Sequence, residues 1–181
     1  MPWFAPAYPA FSPTAHPYLT IRPLAPQEAG PLQAVFQDLS ARSRQLRYHT
    51  PLAALRPAMV RHLTDVDPSR HVALVATLGG RPVGIGRWLR DPFRPTEAEL
   101  AVEIIDRWHG AGIGTAIAAE AARHASRAGV QTFVAHIDPV NSAARAWARA
   151  LGATPNPDDP DQVRLAVSAL AASLPRHHPA A

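Results

Sequence analysis

The chain of 181 residues contains no cysteine and no lysine, so all 18 of its basic residues are arginine. Without cysteine it has no disulfide, no thiol nucleophile and no zinc site of the cysteine type. Without lysine it has no side-chain amine of its own to accept an acyl group. The proline-rich first residues have neither the basic start nor the apolar core of a secretory signal, so we expect no signal peptide. A cysteine-free chain is compatible with a reducing compartment, and we expect a cytoplasmic protein.

Long apolar runs and clusters of basic residues are lacking as well. No apolar run approaches the roughly 20 residues that span a bilayer, so we expect no membrane partner. The net charge is +4, but the arginines are spread along the chain instead of forming the basic stripe typical of nucleic-acid-binding proteins. We therefore expect no nucleic-acid partner. His177 and His178 lie near the end of the chain, where such pairs are usually solvated, and we expect no metal site.

The composition is that of a soluble globular domain, with 47% hydrophobic and 18% charged residues. The length suits one domain with a substantial core. Five prolines within residues 1–17 exclude a helix there. We predict a proline-rich leader over residues 1–17, one domain over residues 18–168 and a disordered tail over residues 169–181.

Hydrophobic periodicity predicts both strands and helices in this domain. Strands are predicted over 18–24, 71–77, 82–89, 98–105, 130–137 and 162–167, and helices over 26–40, 57–63, 115–128 and 142–151. Gly79 and Gly80 are typical of a hairpin turn between the second and third strands. Gly84 and Gly86 within a strand indicate that another group approaches the backbone closely.

A glycine-rich turn over residues 108–115 joins the strand at 98–105 to the following helix. The first turn of a helix has amides without intrahelical partners, so this arrangement binds anions. A phosphate loop of the nucleotide triphosphatase type needs a lysine that the chain lacks. The spacing Gly110-x-Gly112-x-Gly114 also differs from the dinucleotide fingerprint. A tight connection without a ligand remains the alternative.

Residues 98–152 resemble the GNAT superfamily of N-acetyltransferases. The family's cofactor motif is Gln/Arg-x-x-Gly-x-Gly/Ala, and residues 109–114 match it with His109 at the first position. A second family signature is an asparagine that opens a short helix ending in Leu-Gly-Phe. Asn141 and the sequence Leu151-Gly152-Ala153 match this signature, with alanine in place of the aromatic residue.

The resemblance implies a single α/β domain with a mixed, mostly antiparallel sheet flanked by helices. It also implies acetyl-CoA as the co-substrate and direct transfer of the acetyl group to a primary amine of a small molecule or protein. The family binds the cofactor through the end of the strand, the glycine turn and the asparagine. The corresponding residues here are Ile104, Ile105, His109, Gly110, Ala111, Gly112, Ile113, Gly114, Thr115 and Asn141. Asn141 is also a good residue to cap the helix that follows it.

Three glutamates, Glu97, Glu99 and Glu103, share one face of the predicted strand because side chains alternate along a strand. An exposed acidic face is the simplest interpretation. However, an alkylammonium must lose a proton before it attacks an acyl group, and a carboxylate is a suitable base. In the family a glutamate about ten residues before the motif takes this role, which points to Glu99, with Glu103 as the rival.

Two features leave the function open within the family. Ala148 occupies the position where many members carry a tyrosine thought to protonate the leaving thiolate, so a non-catalytic acyl-CoA-binding regulatory domain is one alternative. Residues 43–48, Ser-Arg-Gln-Leu-Arg-Tyr, resemble a stretch in bacterial protein-lysine acetyltransferases, which is the second alternative. The amine acceptor and the oligomeric state stay open, with a homodimer among the alternatives.

Overall fold

The computed structural model describes residues 18–172. The predicted leader and residues 173–181, with His177 and His178, lie outside this range. Seven strands are present within it: β1 (Leu19–Pro23), β2 (His71–Leu78), β3 (Arg81–Arg90), β4 (Glu97–Ile104), β5 (Thr132–His136), β6 (Thr154–Asn156) and β7 (Asp159–Ala166). Six α-helices accompany them: α1 (Ala29–Asp38), α2 (Ala41–Tyr48), α3 (Pro57–Thr64), α4 (Ile113–Arg127), α5 (Ser142–Ala150) and α6 (Val167–Ala172).

The strands form one sheet in the order β1-β2-β3-β4-β5-β7-β6. Every neighbouring pair is antiparallel except β4 and β5, which are parallel because α4 crosses over between them. Strand β3 places Ile85 in a core cluster with α1 and Trp88 in a second cluster with α4, so helices cover both faces of the sheet. The predicted fold class, a mixed and mostly antiparallel sheet flanked by helices, is confirmed.

Helix α4 packs closely on the sheet because its inner face is made of small residues. Ala118, Ala121 and Ala122 are fully buried there. On the sheet side, a Cβ atom added to Gly86 would overlap Cγ2 of Ile117, which lies on α4. The close approach predicted from the strand glycines is therefore confirmed.

Three elements differ from the prediction or extend it. Helix α2 begins at Ala41 and is capped by Ser40, whose hydroxyl accepts a hydrogen bond from the Ser43 amide at 3.1 Å. The sequence does not predict strand β6, because this strand has only three residues and includes a proline. The predicted tail begins too early, because residues 167–172 form helix α6 and bury Leu170. No helix within residues 18–172 has the length and apolar character needed to cross a membrane.

Candidate active site

A cavity of about 420 Å³ opens where the two parallel strands separate. Strands β4 and β5 pair only over Glu97–Glu99 and Thr132–Val134. Beyond that point β4 continues along β3 while β5 continues along β7, so the two strands diverge. The gap is lined on one side by residues 99–104 and on the other by residues 135–137. Its volume is within the usual range of small-molecule sites.

The glycine turn and the start of α4 form one end of this cavity. Gly110 and Gly112 have φ values of 76° and 79°, which favour glycine. Among residues 18–172 no side chain caps α4, so the amides of its first turn are available to an anion. The His109 ring lies against the strand, with Nε2 2.8 Å from the Ile104 carbonyl oxygen. This contact requires that Nε2 carry the proton, and it holds the turn beside the end of β4.

Helix α5 forms the wall opposite β4. The Asn141 side-chain oxygen accepts a hydrogen bond from the Ala144 amide at 3.1 Å, so the predicted helix cap is confirmed. Trp147 Nε1 donates to the Thr115 hydroxyl at 3.1 Å and ties α5 to α4. Ala148 is buried in the same wall and lines the cavity. Arg145 contacts the carbonyls of residues 137 and 160 and lies outside the cavity lining.

The three glutamates of β4 share one face, as predicted, but their environments differ. Glu97 accepts a hydrogen bond from Arg164 Nη2 at 2.6 Å, which lowers its pKa, and it lies outside the cavity lining. Glu99 is exposed and lines the cavity at the point where the strands diverge. Glu103 is only 5% exposed and lines the same cavity. Glu99 and Glu103 are therefore the carboxyl groups placed to act on a ligand.

Helix α2 brings further charged and polar groups to Glu103. Arg47 Nε lies 3.7 Å from Glu103 Oε2, yet that oxygen has no hydrogen-bond partner in the described part of the chain. Burial raises the pKa of Glu103 in spite of Arg47, Tyr48 and Arg87, which act in the opposite direction. Burial, followed by the charge of Glu103, raises the pKa of Tyr48. Sequence reasoning does not connect this helix with β4, although the motif over residues 43–48 lies within it.

Most of the cofactor-binding residues predicted from the sequence meet in this cavity. The lining includes Ile104, His109, Gly110, Gly112, Ile113, Gly114, Thr115 and Asn141, together with Glu99. Ile105 and Ala111 are outside it. The side chain of Ile105 is fully buried in the core, and its backbone donates to the Val83 carbonyl and accepts from the Trp108 amide. Ile105 is therefore part of the scaffold behind the turn.

Comparison with known sequences gives a family and a curated relative. The model of the acetyltransferase (GNAT) domain matches residues 18–154. Acetyltransferase Pat of Mycolicibacterium smegmatis is 29% identical over 140 residues, which cover 74% of this chain and 40% of that protein. The chain thus spans about two fifths of the length of this relative.

Comparison with solved structures gives the same fold. The GNAT domain of S. lividans PAT has a TM-score of 0.72 and 26% identity, over 81% of this chain and 88% of that one. A cAMP-binding acyltransferase from Mycobacterium smegmatis has a TM-score of 0.56 and 25% identity, over 82% of this chain and 43% of that one. The ribosomal-protein-S18-alanine N-acetyltransferase of Escherichia coli shares the fold, with a TM-score of 0.60 and 17% identity over 82% of this chain and 94% of that one.

Proposed function

The chain belongs to the GNAT acetyltransferase family, and we propose that it transfers an acetyl group from acetyl-CoA directly to a primary amine of a small molecule or protein. One observation carries this proposal: a single cavity joins the uncapped start of α4 to the carboxyl groups of β4. The start of α4 suits a pyrophosphate, and the carboxyl groups of β4 suit an amine that must lose a proton. The gap between the diverging strands connects the two.

Acetyl-CoA would lie along this gap in an extended conformation. Its pyrophosphate would bind the first-turn amides of α4, where the helix dipole favours negative charge. Past Glu99, β4 no longer pairs with β5, so backbone groups on that side of residues 100–103 are free of the ladder and would bind the pantetheine amides. Asn141 and Trp147 line the opposite side of this path.

Glu99 is the group that we propose as the general base. It is exposed at the apex of the gap, where it would accept the ammonium proton directly or through a water molecule. The neutral nitrogen then attacks the thioester carbon, the bond between carbon and sulfur breaks with its electron pair going to sulfur, and the nitrogen loses its second proton to solvent to give the amide. The chain has no cysteine to carry the acetyl group, which fits a direct transfer.

A protein lysine is the second candidate acceptor, and helix α2 supports it. Ser43, Leu46 and Arg47 of the motif over residues 43–48 line the cavity. They approach the face of β4 that carries the glutamates, which is the side from which an acceptor would reach Glu99. A lysine side chain is long enough to enter such a cavity while the rest of its protein stays outside.

The test measures acetyl-CoA-dependent release of free thiol from the full chain against a panel of primary amines and lysine peptides. Release with small amines or with peptides identifies the acceptor class, and mass spectrometry of the product verifies that the nitrogen carries the acetyl group. Binding of CoA without thiol release in any arm would contradict the proposal and favour a regulatory acyl-CoA-binding domain. A chain that fails to bind CoA would exclude both.

A further inference from the structure

Glu103 has a buried carboxyl group in the cavity wall, and the reaction with Glu99 as base does not use it. The Glu103 side chain is 3% exposed, and its Oε2 has no hydrogen-bond partner within the described residues. Buried polar atoms in folded proteins nearly always have a partner, and an exception needs an explanation. Tyr48 approaches the same carboxyl group, and because Glu103 also lines the cavity, a ligand atom or a water molecule can reach it from that side.

Three groups from two elements act on this carboxyl group. Arg47 and Tyr48 approach from α2, and Arg87 faces it from β3, where it lies opposite Ala101 and therefore diagonally between Glu99 and Glu103. Burial outweighs the two arginines and the tyrosine hydroxyl and raises the pKa of Glu103. Glu99, about 13 Å away along the same strand face, is exposed. Two carboxyl groups in such different environments are suited to opposite proton-transfer roles.

The proposed reaction needs a base to deprotonate the amine and also a proton for the sulfur of the leaving CoA. A thiol has a pKa of about 8.5, so the thiolate leaves more readily when its sulfur is protonated as the bond breaks. The wall made by α5 offers the methyl groups of Ala144 and Ala148. Its Trp147 N–H is committed to the Thr115 hydroxyl. This wall therefore supplies no acid.

We propose that Glu103 is the general acid that protonates the sulfur of departing CoA, an inference that rests on the proposed function. As nitrogen bonds to the acetyl carbon, the electron pair of the carbon–sulfur bond moves to sulfur, which takes the proton from the Glu103 carboxyl group. The resulting carboxylate is stabilised by Arg47. The ammonium loses two protons in all, the first to Glu99 and the second to solvent as the amide forms. One proton reloads Glu103, so one proton passes overall from the amine to the thiol and one remains in solvent.

The first test compares the full chain with Glu103→Gln in the thiol-release assay across pH. Loss of the acid should lower kcat about 10²-fold, the low end for general acids, because a thiolate leaves tolerably without help. The acceptor KM and CoA binding should stay at parental values, and the alkaline limb of the kcat profile should disappear. Parental kcat with the alkaline limb intact, or a higher acceptor KM alone, would overturn the proposal.

A second test places a phenol on the opposite wall. Ala148→Tyr should raise the kcat of the Glu103→Gln variant at least tenfold. The same substitution should leave the kcat of the Glu99→Gln variant unchanged. A double variant no faster than Glu103→Gln would overturn the proposal. If Glu103→Gln fails to fold, Glu103→Asp should lower kcat but keep the alkaline limb, and loss of that limb would be contrary evidence. A parent chain without thiol release for any amine would instead contradict the proposed function.

Discussion

Replacing Gly114 by alanine should separate CoA binding from folding. A Cβ atom added to Gly114 would lie 3.7 Å from Trp147 and 3.8 Å from Ile104, which is ordinary contact. Gly114 also lies within the first turn of α4, where alanine is favoured over glycine by up to about 1 kcal/mol. The ligand-free variant should therefore be as stable as the parent or slightly more stable. The new methyl group, however, stands between two residues of the cavity wall.

The expected loss of CoA affinity in Gly114→Ala is measured as a smaller increase in Tm when CoA binds. At a CoA concentration of 100 times Kd, binding stabilises the parent by about 2.7 kcal/mol, and a tenfold weaker affinity leaves about 1.4 kcal/mol. In a protein of this size, that halves a shift of roughly 5–10 °C. A Gly114→Ala variant with the full parental shift would refute the argument that the turn holds the cofactor.

Gly112 and Gly129 provide a matched pair of controls. They have φ values of 79° and 82°, so alanine at either position costs about 1–2 kcal/mol of folding stability. Gly112 lines the cavity, whereas Gly129 lies beyond the other end of α4 and outside the cavity lining. Gly112→Ala should lower both the folding stability and the thermal shift produced by CoA, and Gly129→Ala should lower the folding stability alone. Equal losses of CoA response in both variants would attribute the effect to backbone strain.

Three further changes test the proposed chemistry and the packing beneath it. Glu99→Gln should lower turnover by at least about 10²-fold and leave CoA binding intact. Its turnover should recover partly at high pH, where more of the amine is already neutral. Parental turnover at pH 7 would exclude Glu99 as the base. Ala148→Tyr in the parent should change turnover modestly, and a gain of several hundredfold, about 3–4 kcal/mol of barrier, would mark the parent as catalytically impaired. Gly86→Ala should lower the unfolding free energy by about 1–3 kcal/mol, measured by urea denaturation, because its Cβ overlaps Ile117. Adding Ile117→Ala should cost less than the sum of the single variants, and strict additivity would contradict the overlap.

Local chemistry allowed much of the fold and one end of the site to be predicted from sequence. The glycine turn, the helix that follows it and the Asn141 cap depend on residues within a few positions of one another, and the structure has them where they were expected. The parallel pairing of β4 and β5 follows from the crossover helix between them. The GNAT family, too, was evident from motifs of this local kind.

Elements that depend on distant partners were harder to predict. Strand β6 exists because its three residues pair with β7, and helix α6 is held by burial of Leu170 against the core. The contact between Ile105 and the cofactor stays a prediction, and in the structure its amide donates to the Val83 carbonyl and its carbonyl accepts from the Trp108 amide. Periodicity does not reveal such pairings, because it records which face a residue occupies and not which neighbour meets it there.

The glutamates of β4 show most clearly what the sequence determined and what the tertiary structure determined. The alternation of the sequence determined that Glu97, Glu99 and Glu103 occupy one face of a strand. Only the tertiary structure decided that Arg164 pairs with the first, that the second is exposed where the strands diverge, and that the third is buried beneath α2. The reason is physical: the protonation of a carboxyl group depends on burial and nearby charge, and both come from parts of the chain distant in sequence.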